Sequence, residues 1–182
     1  QDALTAESVR ARLAEHEAML RKARLKAFEA LYNGAAGPED APFAVVVARS
    51  LQKVPRTGSV KDGVCATAVE MSAAKDEAES FQLVIAPRGV DLGEVSVEAP
   101  LLSGPGATLD VSWRRVDYVE TGQPKRYEPE YVGWWPDVLM PPEPFTVPKE
   151  HRQPLWFTVN VPPDTEPGIY TGEVTVRAEG HA

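Results

Sequence analysis

"RQPLWFTVNVPPDTEPGIYTGEVTV", residues 152–176, reads as two strands and the turn between them. Leu155, Phe157, Val159 and Val161 alternate with Trp156, Thr158 and Asn160. Successive side chains of a strand point to opposite faces, so the four apolar residues share one face. Pro162 and Pro163 end that strand, because proline cannot donate to a ladder. Pro167-Gly168 suits a type II turn, with proline presetting φ and glycine taking positive φ. A second strand follows, with Tyr170, Val174 and Val176 on one side. Gly172 within it marks a bulge or a close approach of another backbone.

The same period of two recurs through the chain from Phe43 onward. "FAVVVARS" (43–50) reads as a buried strand, and "VCATAVEM" (64–71) follows it. In "SFQLVIA" (80–86), Phe81, Leu83 and Ile85 share a face; "EVSVE" (94–98) is short. "TLDVSWRRVDYV" (108–119) puts Leu109, Val111 and Trp113 on one side. Seven strand candidates separated by turn residues, with no helix between them, predict a mainly β protein. The expected architecture is an antiparallel β-sandwich, immunoglobulin-like or jelly-roll-like.

One helix precedes it, from about Thr5 to Asn33. Thr5 caps its start by accepting a free backbone N–H, and Asn33-Gly34 ends it where positive φ is tolerated. Val9, Leu13, His16, Leu20, Ala23, Ala27 and Leu31 recur at steps of three and four and form one stripe, widened by Met19, Leu25, Phe28 and Tyr32. A helix of about 29 residues is about 43 Å long. It has to lie along the sandwich, a further domain or a second copy. The predicted organisation is a helix over 1–36, a linker over 37–42 and a sandwich over 43–182. Within the sandwich, residues 120–153 form a long aromatic and proline-rich loop.

Composition excludes some functions. The net charge is -8, and residues 1–36 carry six basic and five acidic groups, so the negative charge belongs to the sandwich. Polyanion binding needs a clustered basic surface, so no nucleic acid is expected. No apolar run approaches the roughly 18 residues of a membrane span. Cys65 is the only cysteine, so no internal disulfide forms, and it reads as a small packed hydrophobe. The chain begins "QDALTAESV". Removal of a signal peptide would leave such a start, so a periplasmic or extracellular protein is expected.

Catalytic spacings are missing from the sequence: no Walker loop, paired CxxC, HExxH or GxSxG. His16, His151 and His181 are isolated from one another and from other ligand types, so neither a metal nor a cofactor is expected. "AAKDEAESFQ" offers Asp76, Glu77 and Glu79, and glycosidases work with paired carboxylates. An acidic cluster before a strand reads better as a solvated turn. The candidate binding residues lie in "EYVGWWPDVLMPPEPF" (130–145): Trp134, Trp135, Asp137 and Tyr131. Flat rings with polar neighbours suit a sugar. The competing reading, preferred here, is that the rings pin the loop to a core, since each aromatic buries ~150–250 Å².

Five stretches occur in a familiar order: "VVVARSLQKV", "MSAAKDEAESFQLVIAP", "VDYV", "GWWPDVLMP" and "QPLWFTVNVPPDTEPGIYTGEVTV". Together they resemble the N-terminal β-sandwich domain of glycoside hydrolase family 123 and its DUF4091-type relatives. The resemblance runs from Phe43 to Val176 and leaves the helix out. It implies a parent enzyme whose C-terminal (β/α)-barrel carries the active site and removes N-acetylgalactosamine. It implies substrate-assisted catalysis by an Asp-Glu pair in the barrel. Asp76-Glu77 does not match that pair, so no catalytic residue transfers to this chain. The family pattern continues past "GEVTVRAEGHA", so "YTGEVTV" is expected to lack a strand partner. The expected role is a non-catalytic accessory domain that braces the barrel. Two alternatives are an autonomous carbohydrate-binding module using Trp134 and Trp135, and an assembly module acting through the helix.

Overall fold

A computed structural model describes residues 6–32, 41–58, 60, 63–66, 68–129 and 132–179. In chain order the elements are α1 (Ala6–Tyr32), β1 (Phe43–Arg49), β2 (Val64–Cys65), β3 (Glu77–Pro87), β4 (Leu92–Glu98) and β5 (Leu101–Ser103). They continue with β6 (Thr108–Thr121), β7 (Gly133–Met140), β8 (Phe145–Val147), β9 (Gln153–Val161) and β10 (Thr175–Ala178). All strand pairs are antiparallel. The larger sheet runs β2-β1-β3-β9-β6-β5, with β7 also on β6; the smaller runs β10-β4-β8. The chain is therefore mainly antiparallel β, two sheets in a sandwich-like arrangement, with one N-terminal helix.

The period of two sets the core. Leu83 and Ile85 of β3 and Leu155 and Phe157 of β9 meet Leu92, Val95, Phe145, Val147 and Ala178 of the smaller sheet. Phe81 and Trp113 pack against this group, as their parity requires. The even-numbered residues of β1 and β3 face the other way. Ala44, Val46, Ala48, Val84 and Ala86 form a second core with Val54 and Val60 of the segment after β1. β3 is thus buried on both faces, which is why "LVIAP" (83–87) reads as a continuous apolar run.

Gln82 stands on that second face and is only 3% exposed. Its Nε2 donates to the carbonyls of Arg49 (2.9 Å), Ser50 (3.2 Å) and Gln52 (2.8 Å). One side-chain amide therefore tethers the start of the 50–63 segment to the sheet.

The PGxYxG stretch does different work from that read in the sequence. Gly168 is not among the positive-φ residues, so Pro167-Gly168 is not the expected type II turn. Its constraint is space: a Cβ there would lie 2.5 Å from Pro105 Cγ. The Tyr170 ring lies across Gly104, and its hydroxyl is placed to donate to the carbonyl of Pro105 or Glu166 (2.9 Å each). Thr171 exchanges two backbone bonds with Ser103. Gly172 is the close approach anticipated, since its Cβ would meet Pro100 Cβ at 2.8 Å. The motif clamps the 100–107 hairpin, so β10 begins only at Thr175. There it pairs with β4 and ends the smaller sheet.

Residues 120–153, read in the sequence as one long aromatic and proline-rich loop, carry regular strands. β6 runs on to Thr121, and β7 and β8 lie inside the segment. β7 holds Pro136 because it pairs on one side only, and an edge strand tolerates a residue without an N–H. Conversely, "VCATAVEM" yields only the two residues of β2. The Cys65 side chain lies outside the described residues.

On α1, Val9, Leu13, Met19 and Leu20 are between 48% and 65% exposed. The sandwich does not cover the predicted stripe there. His16 Nδ1 lies 2.7 Å from the Arg12 carbonyl, one turn back, which accounts for its polar atom. The caps Thr5, Asn33 and Gly34, and the side chains of Leu25, Phe28, Leu31 and Tyr32, lie outside the described residues. Among the described residues no helix is long and apolar enough to cross a membrane.

Candidate functional site

A recess of about 280 Å³ opens where five segments converge. Arg56 comes from the segment after β1, and Arg115, Asp117 and Tyr118 from β6. Trp134 comes from the start of β7, and Thr146, Val147 and Pro148 from β8 and its end. His151, Arg152 and Gln153 lead into β9. The backbone closes this ring: the Arg152 N–H donates to the Arg56 carbonyl at 2.8 Å. Gln153 Nε2 donates to the Val116 carbonyl at 2.7 Å.

Tyr118 anchors the floor. Its hydroxyl is placed to donate to the carbonyl of Val54 (3.2 Å) or Arg152 (3.3 Å), joining the same two segments. Burial holds the phenol well above its ordinary pKa of 10.0; the Arg56 charge opposes this and Asp117 adds to it. Tyr118→Phe is expected to cost about 1–2 kcal/mol, because the one hydroxyl proton that the two carbonyls share is lost. The raised pKa also predicts a sign in alkali. The unfolded chain ionises this tyrosine near pH 10.0 and the folded chain does not. Its contribution is therefore intact below that pH and is lost progressively as pH rises from there through the higher pKa of the folded chain. Phenolate absorbance should show one of the five tyrosines ionising only with unfolding in the native chain. That delayed step should be missing in Tyr118→Phe.

The recess is basic within an acidic protein. The Arg56 guanidinium lies 4.4 Å from the centre of the Trp134 ring. Arg115 Nη2 meets Asp117 Oδ2 at 3.5 Å. Asp117 Oδ1 also accepts the Tyr118 N–H at 2.8 Å. Among the described residues no carboxylate forms an ion pair with Arg56 or Arg152. Arg152 Nη1 donates to the His151 carbonyl (3.1 Å), while its Nε is buried with no hydrogen-bond partner. His151 is held below its ordinary pKa of 6.5, by burial first and then by the Arg56 charge, with Glu150 opposing. Its imidazole is therefore neutral near pH 7 and adds a polar edge to the cluster.

Of the candidate binding residues Trp134 lines this recess, and so does His151, which the sequence left isolated. Trp134 is 40% exposed and Trp135 half-buried. As neighbours on a strand they point to opposite faces and form no common platform. Lys53 Nζ lies 6.0 Å from the Trp135 ring centre. Asp137 is exposed on β7, and Tyr131 lies outside the described residues. Asp76 occupies a turn at φ 60°, and the exposed carboxylate of Glu77 accepts the Ala74 N–H, which fits the solvated-turn reading. No cluster of metal-ligating side chains occurs among the described residues. The arginines escaped the sequence reading because topology alone assembles them. One signal was available: Arg115 shares parity with Leu109, Val111 and Trp113, so it puts a charge on the apolar side of β6.

Two antiparallel sheets in a sandwich-like arrangement define the class: a mainly β domain with a basic recess on its surface. The glycoside hydrolase 123 N-terminal domain family matches residues 60–178, well over half of the chain, and the chain belongs to that family. A solved family 123 glycoside hydrolase from Clostridium perfringens, described in terms of glycolipid glycan hydrolysis, is also similar. The TM-score is 0.47 with 18% identity, covering 59% of this chain and 19% of that one. No curated protein matches.

Proposed function

We propose that this chain is the non-catalytic accessory domain of a secreted bacterial glycoside hydrolase, with a family-123-like parent of β-N-acetylgalactosaminidase type. In this reading it braces a C-terminal (β/α)-barrel that carries the chemistry. Membership of the N-terminal domain family carries the proposal. The exposed edge around β7 supports it: Val119, Val132, Trp134, Val138 and Leu139 are each 40–43% exposed. By register Val119 shares a face with Trp135 rather than Trp134, so this edge leaves apolar side chains exposed on both faces for a neighbouring domain to cover. An aryl N-acetylgalactosaminide offered to this chain alone should not be hydrolysed, whereas a parent containing the barrel should turn it over. Turnover by this chain alone would overturn the proposal.

A second reading makes the helix an assembly module, and the exposed Val9, Leu13, Met19 and Leu20 favour it. Light scattering should then give a larger particle for the full chain than for one lacking residues 1–36. The same monomer mass in both would count against it. The autonomous carbohydrate-binding reading keeps Trp134 as its contact, since that ring is part-exposed beside polar groups. Trp135, Asp137 and Tyr131 belong to that proposal too.

A further inference from the structure

Three observations at the recess concern charge. Arg56 is fixed over Trp134 and forms no ion pair with a described carboxylate. Arg152 presents a buried Nε without a partner. The one carboxylate lining the recess, Asp117, is engaged by Arg115 and by the Tyr118 N–H. In a chain of net charge -8, this gathering does not follow from composition. A guanidinium presents a planar fork of donors that matches an oxyanion, and such pairs are roughly twice as strong as neutral hydrogen bonds. Arg152 Nε lies out of reach of solvent, so this arginine would meet a ligand through the outer end of its guanidinium and through its charge.

We propose that the recess binds an anionic saccharide, its carboxylate held by Arg56 and Arg152 and its ring laid against the exposed part of Trp134. The oxyanion assignment stands on the side chains themselves. That a sugar carries the anion rests on the glycoside hydrolase reading above. The volume of about 280 Å³ limits the ligand to about one sugar unit. Arg56 links the two halves of the site, because the guanidinium that would meet the carboxylate also fixes the indole.

Tryptophan fluorescence on the intact chain tests this, using glucuronate, galactose and inorganic sulfate as separate titrants. Glucuronate should bind with a Kd of about 1 mM or tighter. Galactose should bind at least roughly tenfold more weakly, since it lacks the charge. Sulfate should compete with glucuronate but bind more weakly, since it lacks the ring. Arg56→Gln should weaken glucuronate roughly tenfold and Arg56→Lys less, because lysine keeps the charge without the fork. Trp134→Phe should abolish the fluorescence response, and circular dichroism should show each variant folded. Calorimetry on Arg152→Gln gives a readout independent of the indole, and weaker binding is expected there too. Failure of both anions to bind would overturn the site itself, as would unchanged binding in Arg56→Gln. Sulfate binding as tightly as glucuronate would overturn the saccharide assignment and leave an oxyanion site.

Discussion

Phe157→Ala is expected to destabilise the chain by about 3–5 kcal/mol, the range for deleting a buried ring and leaving a cavity. Phe157 is fully buried at the centre of β9. Its ring stacks on Phe81 at 5.2 Å with an interplanar angle of 9°, and lies 6.5 Å from Trp113. β3, β9 and β6 therefore meet through this one side chain, between the sheets. A loss of that size is a large share of the ~5–15 kcal/mol that holds a domain together. Urea unfolding at neutral pH measures it. Thr158→Ala, one residue along the strand, is the control. Its side chain points to the other face, where Oγ1 lies 3.0 Å from Ser80 Oγ. Losing that hydrogen bond should cost about 1 kcal/mol. Equal losses at 157 and 158 would mean that the strand does not present the faces described.

That alternation was legible in "LWFTVNV", and so was the strand, because both depend on neighbours along the chain. The turn that follows was not. Pro167-Gly168 has the composition of a type II turn, yet Gly168 is required by Pro105, some sixty residues away. A glycine kept for space and one kept for positive φ look alike in a sequence. Likewise the prolines of residues 130–145 conceal β7, because proline excludes a central strand and not an edge. The recess was illegible for a related reason. Arg56, Arg115 and Arg152 lie far apart in sequence and meet only because β6 and β9 pair while the 50–63 segment folds across. Family membership was legible from five short stretches because their order, rather than any one of them, carries the information. The match to residues 60–178 begins after "VVVARSLQKV" (45–54), so four of the five stretches lie within it.

Gln82→Leu is expected to cost about 3 kcal/mol, although leucine is similar in size and more apolar. On hydrophobicity alone it should stabilise a position that is 3% exposed. The opposing effect is larger, because the Gln82 amide serves the carbonyls of Arg49, Ser50 and Gln52. A buried acceptor stripped of its donor costs about 1–3 kcal/mol. More than one would be stripped here, which outweighs the gain from an added apolar group. The consequence should also reach the recess. The tethered segment carries Val54 into the second core and Arg56 onto Trp134. Freeing its start should loosen Arg56 and weaken glucuronate binding, whereas Phe157→Ala, acting between the sheets, should leave binding unchanged wherever the chain remains folded. Urea melts paired with glucuronate titrations of both variants would separate these effects. A Gln82→Leu chain as stable as the parent sequence would show that the three carbonyls find other donors, and that Gln82 does not hold the segment.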